Sequence, residues 1–546
     1  MKRICIIIIV LLATLAACRK ESDTVTLGAT IENIEGNPKL YIDNTLTPQW
    51  ENNDPVWING NASYTVTISN NVAQIANVAR ADNNHYLAVY PADIVAAGQQ
   101  AGNSSVTVNL PREQVYQSSQ QVKVPMIAYT EGNTLGFKNL CSLLKVTLKN
   151  STNAPITLSR ITLTASTALL SGPVTASILN GEGHLDSWGT EAEHDVSLCF
   201  PTAQPLQSKC SISCYMAVPE FTANEVSIIV YTNDGRFFPI LKSSVPLSHN
   251  RIATVTVDID QLLTCHEDFT VNANNHTVRF SKGNLQYTTD STHTTADNNN
   301  TTGQWRFAKH QYDIIGANNS NISDPNYTGW LDLFGWATSG YNGKAPTLSS
   351  PYYSQYYTFK SISGRNYDWG RYNAIGNDNP GTWRTLQGSE WEYLLVTRNG
   401  VTIGDASSVK FAQTIVNGRK GVMLFPDGFA WPSTIQSVPS VFNTNQINWN
   451  TTDYTLAQWA ILEASGVVFL PAAGYRKETT VKEVNITAHY WSSTKDASYD
   501  DMARFVMFRG NGTPSIINCY SYVYFGLSVR LVKDNQSAYD LTQIGH

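Results

Sequence analysis

The chain has 546 residues, which is too long for a single hydrophobic core and predicts about three or four domains. Its formal net charge is −6 and only 15% of its residues are charged, so no basic surface is predicted and nucleic acid is excluded as a partner. The 27 Tyr and 13 Trp residues supply large amphipathic contact surfaces. This composition favours a β-rich extracellular protein.

The N-terminus has the pattern of an export signal. Lys2 and Arg3 precede an apolar run that ends at Ala17 and is too short to span a bilayer, so residues 1–17 are predicted to be a cleaved signal peptide. The sequence LAAC ending at Cys18 resembles the lipobox of bacterial lipoproteins. That resemblance implies a membrane anchor of acyl chains, palmitate among them, on Cys18. The alternative is an ordinary signal peptide in which Cys18 is incidental.

Residues 18–30 are predicted to form a polar tether, because RKESDTVT follows Cys18. An acidic stretch at this place resembles the signal of surface lipoproteins in the Bacteroidetes. The resemblance implies an outer-membrane lipoprotein exposed on the cell surface, with a periplasmic orientation as the alternative. It also implies O-glycosylation at Asp-(Ser/Thr) triplets, which this sequence offers at Thr24 and Ser291 in predicted loops.

Six cysteines remain beyond the signal peptide and Cys18: Cys141, Cys199, Cys210, Cys214, Cys265 and Cys519. An exported protein is permitted disulfides, and the spacing leaves their pairing open. Alternation in SKCSISCYMAV predicts a strand there, with buried free thiols at Cys210 and Cys214 rather than a metal site.

Tryptophan usage divides the chain, because only Trp50, Trp57 and Trp188 precede residue 263 and the other ten follow it. Before that boundary, alternating or β-branched runs separated by Asn, Gly and Pro predict short strands of the kind found in β-sandwiches. The predicted strands are 63–69, 85–91, 105–111, 143–150, 156–166, 225–232 and 251–259.

The same part of the chain resembles the fimbrillin family of Bacteroidetes surface proteins. The resemblance covers about residues 25 to 260 and rests on HYLAVYPAD, TVNLPREQVY, GFKNLCSLLKVTLKN and ITLTASTALLSGPVTAS. It implies two tandem transthyretin-like β-sandwiches, at residues 31–150 and 151–262. Polymerising members of the family assemble with other fimbrial subunits by donor-strand exchange, whereas other members are lipoproteins, tip components or adhesins.

After residue 263 the stretch GTWRTLQGSEWEYLLVTR, residues 381–398, predicts a short helix. Trp391, Leu394, Leu395 and Arg398 share one helical face, which is predicted to be core. Ser389 is predicted to cap the helix with Glu392 three residues on. Glu390 and Glu392 point to different sides, so they do not form a catalytic pair. Further strands are predicted in 276–287, 465–476, 488–494, 503–508 and 526–532.

The ordered segments WRTL, EWEYLL, FLPAAGYR, YWSST and SVRLV resemble the Fibrobacter major paralogous domain and, more distantly, the formylglycine-generating enzyme and C-type lectin folds. The resemblance implies an α+β, C-type-lectin-like domain at residues 263–535, followed by a polar tail at 536–546. The enzyme requires a copper-binding cysteine pair, which Cys265 and Cys519 do not match. No catalytic motif, cofactor or enzyme activity is predicted. Arg384, Arg476 and Arg530 are predicted to form buried ion pairs or to bind carbonyls.

Binding is the remaining function for this domain, and its aromatic loops between Trp330 and Trp383 are the predicted recognition surface. Trp336, Trp369, Trp383 and Trp391 are predicted to fill the core instead. The candidate contact residues are Tyr352, Tyr353, Tyr356 and Tyr357. No metal site is predicted, and the residues nearest to a calcium site are Asn377, Asp378 and Asn379.

The sequence as a whole predicts a multidomain, mostly β adhesion protein. A lipid-anchored stalk of two sandwiches would carry a lectin-like head for a glycan or protein ligand. The alternative is a structural or tip subunit of a fimbria.

Overall fold

A computed structural model describes residues 23–32, 50–70, 72–81, 84–99, 104–117, 122–290, 303–349, 359–445, 449, 452–509 and 519–535. These residues form two compact units: the first comprises residues up to 234 together with 242–261, and the second comprises 235–241 together with residues from 262 onward. Strands dominate both units, so the predicted multidomain, mostly β fold is confirmed. No helix among the described residues is long and apolar enough to cross a membrane.

The first unit is built from strands β1 to β19, although the first half of β18 groups with the second unit. The strands are β1 Thr24–Ile31, β2 Pro55–Ile58, β3 Asn61–Thr65, β4 Thr67–Ser69, β5 Val72–Ala79, β6 Tyr86–Tyr90, β7 Ser105–Leu110, β8 Glu113–Val115, β9 Met126–Thr130, β10 Thr134–Asn139, β11 Ser142–Asn150, β12 Ile156–Ala165, β13 Gly172–Leu179, β14 Glu182–Trp188, β15 Asp195–Leu206, β16 Ser211–Val218, β17 Phe221–Thr232, β18 Arg236–Leu247 and β19 Ile252–Ile259.

An eight-stranded sheet in the order β3-β2-β6-β9-β10-β1-β5-β4 opens the first unit. Sheets in the orders β16-β11-β19 and β14-β13-β7 follow, together with a run β17-β12-β15-β8. Strand β6 shows how the layers meet, because all five of its residues are buried. Tyr86, Ala88 and Tyr90 pack in one core, and Leu87 and Val89 pack in another. Successive side chains of a strand point to opposite faces, so β6 lies between two apolar layers.

The segment predicted as a tether is shorter than expected, because β1 begins at Thr24. Strand β1 pairs in parallel with β10 and antiparallel with β5. Leu27 and Ala29 are buried in the core below it. The alternation of these residues with polar ones is a strand pattern that the surrounding charged residues obscured. Thr24, predicted to lie in a loop, is an exposed residue at the start of this strand.

The strand predictions for the first unit are confirmed, with one interruption and one correction. The predicted strand 63–69 divides into β3 and β4 at Val66, whose side chain is buried. The six cysteines outside the signal region are free thiols in the structure. Cys214 is buried within β16, and burial raises its pKa to about 12. Cys210 is exposed instead of buried, because it lies in the turn before that strand.

The described residues of the second unit form short strands and three short α-helices, which are separated by long loops. The strands are β20 Leu263–Thr264, β21 Phe269–Thr270, β22 Thr277–Phe280, β23 Leu285–Thr288, β24 Gln304–Phe307, β25 Arg384–Thr385, β26 Val401–Ile403, β27 Ala406–Val409, β28 Phe411–Val416, β29 Arg419–Leu424, β30 Asp453–Tyr454, β31 Val468–Pro471, β32 Tyr475–Lys477, β33 Thr480–Lys482, β34 Thr487–Lys495, β35 Met502–Arg509, β36 Cys519–Tyr522 and β37 Leu531–Asp534. The helices are α1 Trp369–Tyr372, α2 Gly388–Glu392, which continues as a π-turn over Tyr393–Thr397, and α3 Leu456–Ala464.

Three small sheets organise the second unit, in the orders β21-β22-β37-β25, β30-β28-β29-β31 and β34-β35-β36. Its aromatic core contains five tryptophans: Trp305, Trp336, Trp369, Trp383 and Trp491. A second core gathers Trp391, Leu394 and Leu395 from the helix in 381–398. The prediction that Trp336, Trp369, Trp383 and Trp391 fill the core is therefore confirmed.

Helix α2 begins two residues earlier than predicted. Its N-cap is Gln387, whose backbone N–H donates to the Glu390 side chain at 2.8 Å. Glu390 also accepts two hydrogen bonds from the Arg384 guanidinium, each 2.8 Å long. The prediction that Ser389 caps the helix is wrong, because Glu390 rather than Glu392 reaches back to the N-terminus. Both oxygens of Glu390 are thus engaged in structural contacts.

Candidate functional site

Buried hydrogen bonds position the aromatic loops of the second unit. Asp368 caps α1 by accepting from the Gly370 N–H, and it also accepts from the backbone N–H and hydroxyl of Thr385, each at 2.9 Å. Burial raises the pKa of the Asp368 carboxyl to about 6, against the opposing effect of the hydrogen bonds from Thr385. Asp368 therefore fixes α1 against β25.

A second set of contacts holds the loop that precedes α1. The Ser339 hydroxyl donates to the carbonyl of Asn366 at 2.6 Å, and the Asn373 amide donates to the carbonyl of Ser339 at 2.9 Å. Ser339 and Asn373 are both buried. These bonds join the loop around Ser339 to the segments on either side of α1. They therefore restrict the backbone from which the neighbouring side chains project.

Three tyrosines on this base form what we call the loop patch: Tyr341, Tyr367 and Tyr372. The Tyr341 ring lies 5.1 Å from that of Tyr367 and 5.3 Å from that of Tyr372, both in edge-on geometry. Tyr341 is 36% exposed and Tyr372 is 42% exposed. Tyr367 stacks in turn on Phe359, at 4.8 Å. The loop patch is thus an exposed aromatic surface continuous with partly buried rings.

Polar groups border the loop patch. The Asn342 amide donates to the Tyr367 hydroxyl at 3.3 Å. Arg371 is exposed on α1, and the Gly381 N–H donates to the Gly370 carbonyl at 2.8 Å, which attaches the following turn to that helix. Aromatic faces beside an amide donor such as that of Asn342 can stack on and hydrogen-bond to polar ring-shaped ligands.

The turn that carries the calcium candidates Asn377, Asp378 and Asn379 uses one of these residues for a structural contact. Asp378 accepts a 2.8 Å hydrogen bond from the Trp383 indole. Asn377 and Asn379 are exposed on the same turn. Across the residues that the structure describes, no group of three or more His, Cys, Asp or Glu side chains is placed to hold a metal ion.

Most of the sequence-predicted site residues lie outside the described residues. These are Cys18, Ser291, Tyr352, Tyr353, Tyr356 and Tyr357. The structure adds two candidate contact residues, Tyr341 and Tyr372. The sequence analysis did not select them, although both lie in the predicted recognition loops. The motifs SGYNG and WGRYN could have identified them, because in each motif a tyrosine adjoins turn-forming residues and is therefore expected at the surface.

The predicted roles of three arginines are confirmed. Arg384 joins Glu390 to Asp534, with its ion pair to each carboxylate at 2.8 Å. Arg476 donates to the carbonyls of Glu478 and Leu333. Arg530 donates to the carbonyl of Phe469 at 2.6 Å and to Gln311 at 2.7 Å. All three are buried, and each contacts a segment that is distant in the sequence.

Comparison with known proteins gives similarity only to solved structures, because no family model and no curated protein matches the chain. A candidate cell adhesion protein from Bacteroides ovatus is 13% identical, with 44% of this chain and 95% of that one covered at a TM-score of 0.29. A candidate cell adhesion protein from Bacteroides fragilis is 10% identical, with coverages of 43% and 93% at a TM-score of 0.24. The minor pilin GBS52 of Streptococcus agalactiae is 10% identical, with coverages of 43% and 94% at a TM-score of 0.15.

Proposed function

We propose that this chain is a lipid-anchored, cell-surface adhesion protein with a recognition head for a glycan. In this proposal Cys18 carries the acyl anchor, the first unit is a fimbrillin-like stalk and the second unit is the C-type-lectin-like head. The protein acts by binding and not by catalysis. The observation that carries the proposal is the loop patch, where Tyr341 and Tyr372 are exposed on loops held by buried hydrogen bonds.

The chemistry of the loop patch suits a sugar. The C–H faces of a pyranose ring pack on exposed aromatic rings, and the hydroxyl groups around the ring require donors and acceptors at the rim. Tyr341 and Tyr372 supply the rings, and the Asn342 amide beside Tyr367 supplies a polar group at the rim. Because the two rings are already in contact, little conformational entropy is lost when a ligand binds them.

The test is binding of the full chain to a panel of host and dietary glycans and mucins, with and without calcium. We expect a saturable signal that falls at least about tenfold in Tyr341→Ala/Tyr372→Ala, which corresponds to about 1.4 kcal/mol. A Tyr352→Ala/Tyr353→Ala/Tyr356→Ala/Tyr357→Ala variant tests whether the sequence-predicted contacts extend the same surface.

The matched control is Val396→Ala, which removes an exposed apolar side chain from the π-turn of the same unit. This variant should bind as the unchanged protein does. Equal binding by the Tyr341→Ala/Tyr372→Ala variant would exclude the loop patch. If no glycan of the panel binds, the proposal of a glycan ligand is rejected and a protein ligand is favoured.

A second candidate function is a structural or tip subunit of a fimbria. Strand β1 supports it, because β1 lies between β10 and β5 and its removal would expose an apolar groove beneath Leu27 and Ala29. A strand from another subunit would fill such a groove. Limited proteolysis followed by light scattering and electron microscopy tests this candidate. If the cleaved protein forms polymers, the fimbrial-subunit function is favoured over the adhesion function. If it stays a stable monomer, the fimbrial-subunit function is excluded.

A further inference from the structure

The outer edge of the β34-β35-β36 sheet carries a second aromatic surface. Strand β36 is the last strand in the sheet order, and Tyr520 and Tyr522 are alternate residues on it. They are 47% and 38% exposed, whereas Ala503 and Phe505 of the neighbouring β35 are buried. Alternate residues of a strand share one face, so both tyrosine rings are directed to the solvent side of the sheet.

A turn adds a third ring to this surface. Asp496 accepts hydrogen bonds from the backbone N–H groups of Ser498, at 2.8 Å, and Tyr499, at 3.2 Å. The Tyr499 ring lies 5.1 Å from that of Tyr520 and is 46% exposed. We call Tyr499, Tyr520 and Tyr522 the strand strip.

Further rings continue the strand strip towards the interior. Tyr522 stacks on Tyr524 at 5.3 Å and contacts Phe525 at 5.8 Å. Phe525 is parallel to Tyr475 at 6.1 Å. Large exposed aromatic surfaces of this kind mark interaction sites more often than isolated exposed residues do.

Two carboxylate residues lie near the inner end of the strand strip: the Asp501 carbonyl accepts from the Val523 N–H at 3.0 Å, and Arg476, two residues before Glu478, pairs with Gly526. The pKa of Tyr524 is raised by burial first, and then by the neighbouring Tyr522, Glu478 and Asp501. Glu478 and Asp501 make no ion pair within the part of the chain that the structure describes, whereas Asp496 is paired with Arg504 at 3.5 Å. Asp500 is paired with Lys495 at 2.9 Å, and Lys477 is an exposed cation in β32. Among the described residues, Glu478 and Asp501 are thus the carboxylates near Tyr524 that no Lys or Arg side chain pairs, whereas Arg504, opposite Tyr520 in the β35–β36 pairing, is paired with Asp496.

We propose that the strand strip docks an extended, Lys- or Arg-bearing segment of a partner protein. Aromatic faces attract a cation that has shed part of its hydration, and Glu478 and Asp501 provide charge complementarity. An edge strand pairs with an extended peptide through its backbone, which gives such a segment a defined register along β36. The strand strip and this partner are distinct from the loop patch and its glycan.

The test uses the full chain and a labelled peptide of four Lys-Thr repeats, because alternation places every lysine on one face of an extended strand. Fluorescence polarisation should show binding that weakens as salt rises, and it should show no binding of Glu-Thr or Ser-Thr repeats. Tyr520→Ala/Tyr522→Ala and Glu478→Gln/Asp501→Asn should each weaken binding about tenfold. Tyr520→Phe/Tyr522→Phe keeps the rings and should retain binding even if the alanine variant misfolds.

The matched control is Glu182→Gln/Glu220→Gln, which removes the same net charge at exposed positions of the first unit. This control should leave peptide affinity unchanged. The proposal is overturned if the control weakens binding as much as Glu478→Gln/Asp501→Asn, if Ser-Thr repeats bind equally, or if no repeat binds. It is also overturned if the strip variants change self-association of the chain and not peptide affinity. Glycan binding at the loop patch is read separately, so the two proposals can fail independently.

Discussion

In the first unit, β11 exchanges ladder hydrogen bonds with β16 and β19 along nearly its whole length. In the second unit, several backbone carbonyls outside the strand ladders accept hydrogen bonds from buried arginine side chains. Arg398 shows the pattern, because it donates to the carbonyls of Leu394 and Phe425 and forms an ion pair with Asp427. Loops leave backbone carbonyls without ladder partners, and a guanidinium with five donors can satisfy several of them at once.

The two units therefore differ in the kind of substitution that destabilises them. In the first unit the buried side chains are mainly apolar, and Asp54 and Glu193 are its buried carboxylates among the described residues. The second unit buries Asp332, Asp368 and several arginines. We therefore expect losses of packing to destabilise the first unit, and losses of charge pairing to destabilise the second.

The largest effect is expected from Arg384→Met. Removal of the guanidinium leaves the buried Glu390 carboxylate without its ion-pair partner and leaves the partly buried Asp534 with His276 as its remaining partner, which costs about 3–5 kcal/mol. Hydrogen exchange of β25 and β37 amides reports this loss within the second unit alone. A triple variant with Glu390→Gln and Asp534→Asn should recover part of the stability, because it removes the unpaired charges. Unchanged exchange in β37 would contradict the importance of the pairing.

A comparable loss in the first unit should come from packing. Leu27→Ala in β1 removes a fully buried side chain and should lower the free energy of unfolding by about 2–5 kcal/mol. The loss should not depend on salt concentration or on pH between 4 and 7, in contrast to Arg384→Met. Hydrogen exchange of β5 and β10 amides measures it. A salt-dependent loss would remove the distinction between the two units.

The smallest effect is expected to be a pH dependence of the stability of the second unit, which arises from the buried Asp368. The folded state keeps a proton on Asp368 up to about pH 6, whereas the unfolded chain releases it near pH 4. Its contribution to stability is therefore full below about pH 4 and is lost as the pH rises through 6, by roughly 3 kcal/mol.

The variant Asp368→Asn tests this dependence, because asparagine cannot accept all the hydrogen bonds from Thr385 and Gly370 but does not titrate. At pH 4 and at pH 7 the variant should have a lower free energy of unfolding than the unchanged protein. The difference between the two proteins should be smaller at pH 7 than at pH 4. The control is Asp405→Asn, at an exposed turn of the β26-β27 hairpin, where the difference should be constant. A deficit for Asp368→Asn that does not change with pH would contradict the raised pKa.

Sequence reasoning succeeded where a local pattern decides the structure. Residues 143–150 alternate and form β11, and the helical spacing of Trp391, Leu394 and Leu395 places them in a core. It failed at β1, where polar neighbours conceal a short alternating run. It failed again at the cap of α2, because the Ser389 pattern competes with an Arg384 contact that the spacing does not reveal.

The contacts that organise the candidate site join residues far apart in the sequence, so local sequence patterns could not predict them. Asp534 pairs with Arg384 from 150 residues away, and the Tyr499 ring meets Tyr520 across a turn and a strand pairing. The alternation of tyrosines in CYSYVYF is a visible signal for a strand, but it does not say which face is exposed. Tertiary packing supplies that information.

The short interval between Cys18 and β1 has a mechanical consequence. With the proposed anchor on Cys18, a pull between the membrane and a bound surface enters the folded protein at Thr24 after about five residues, or roughly 17 Å of extended chain. Because β1 is bonded to β10 on one side and to β5 on the other, a force directed along it is shared by two rows of hydrogen bonds at once. The strand nearest the anchor would thus bear the tension of adhesion.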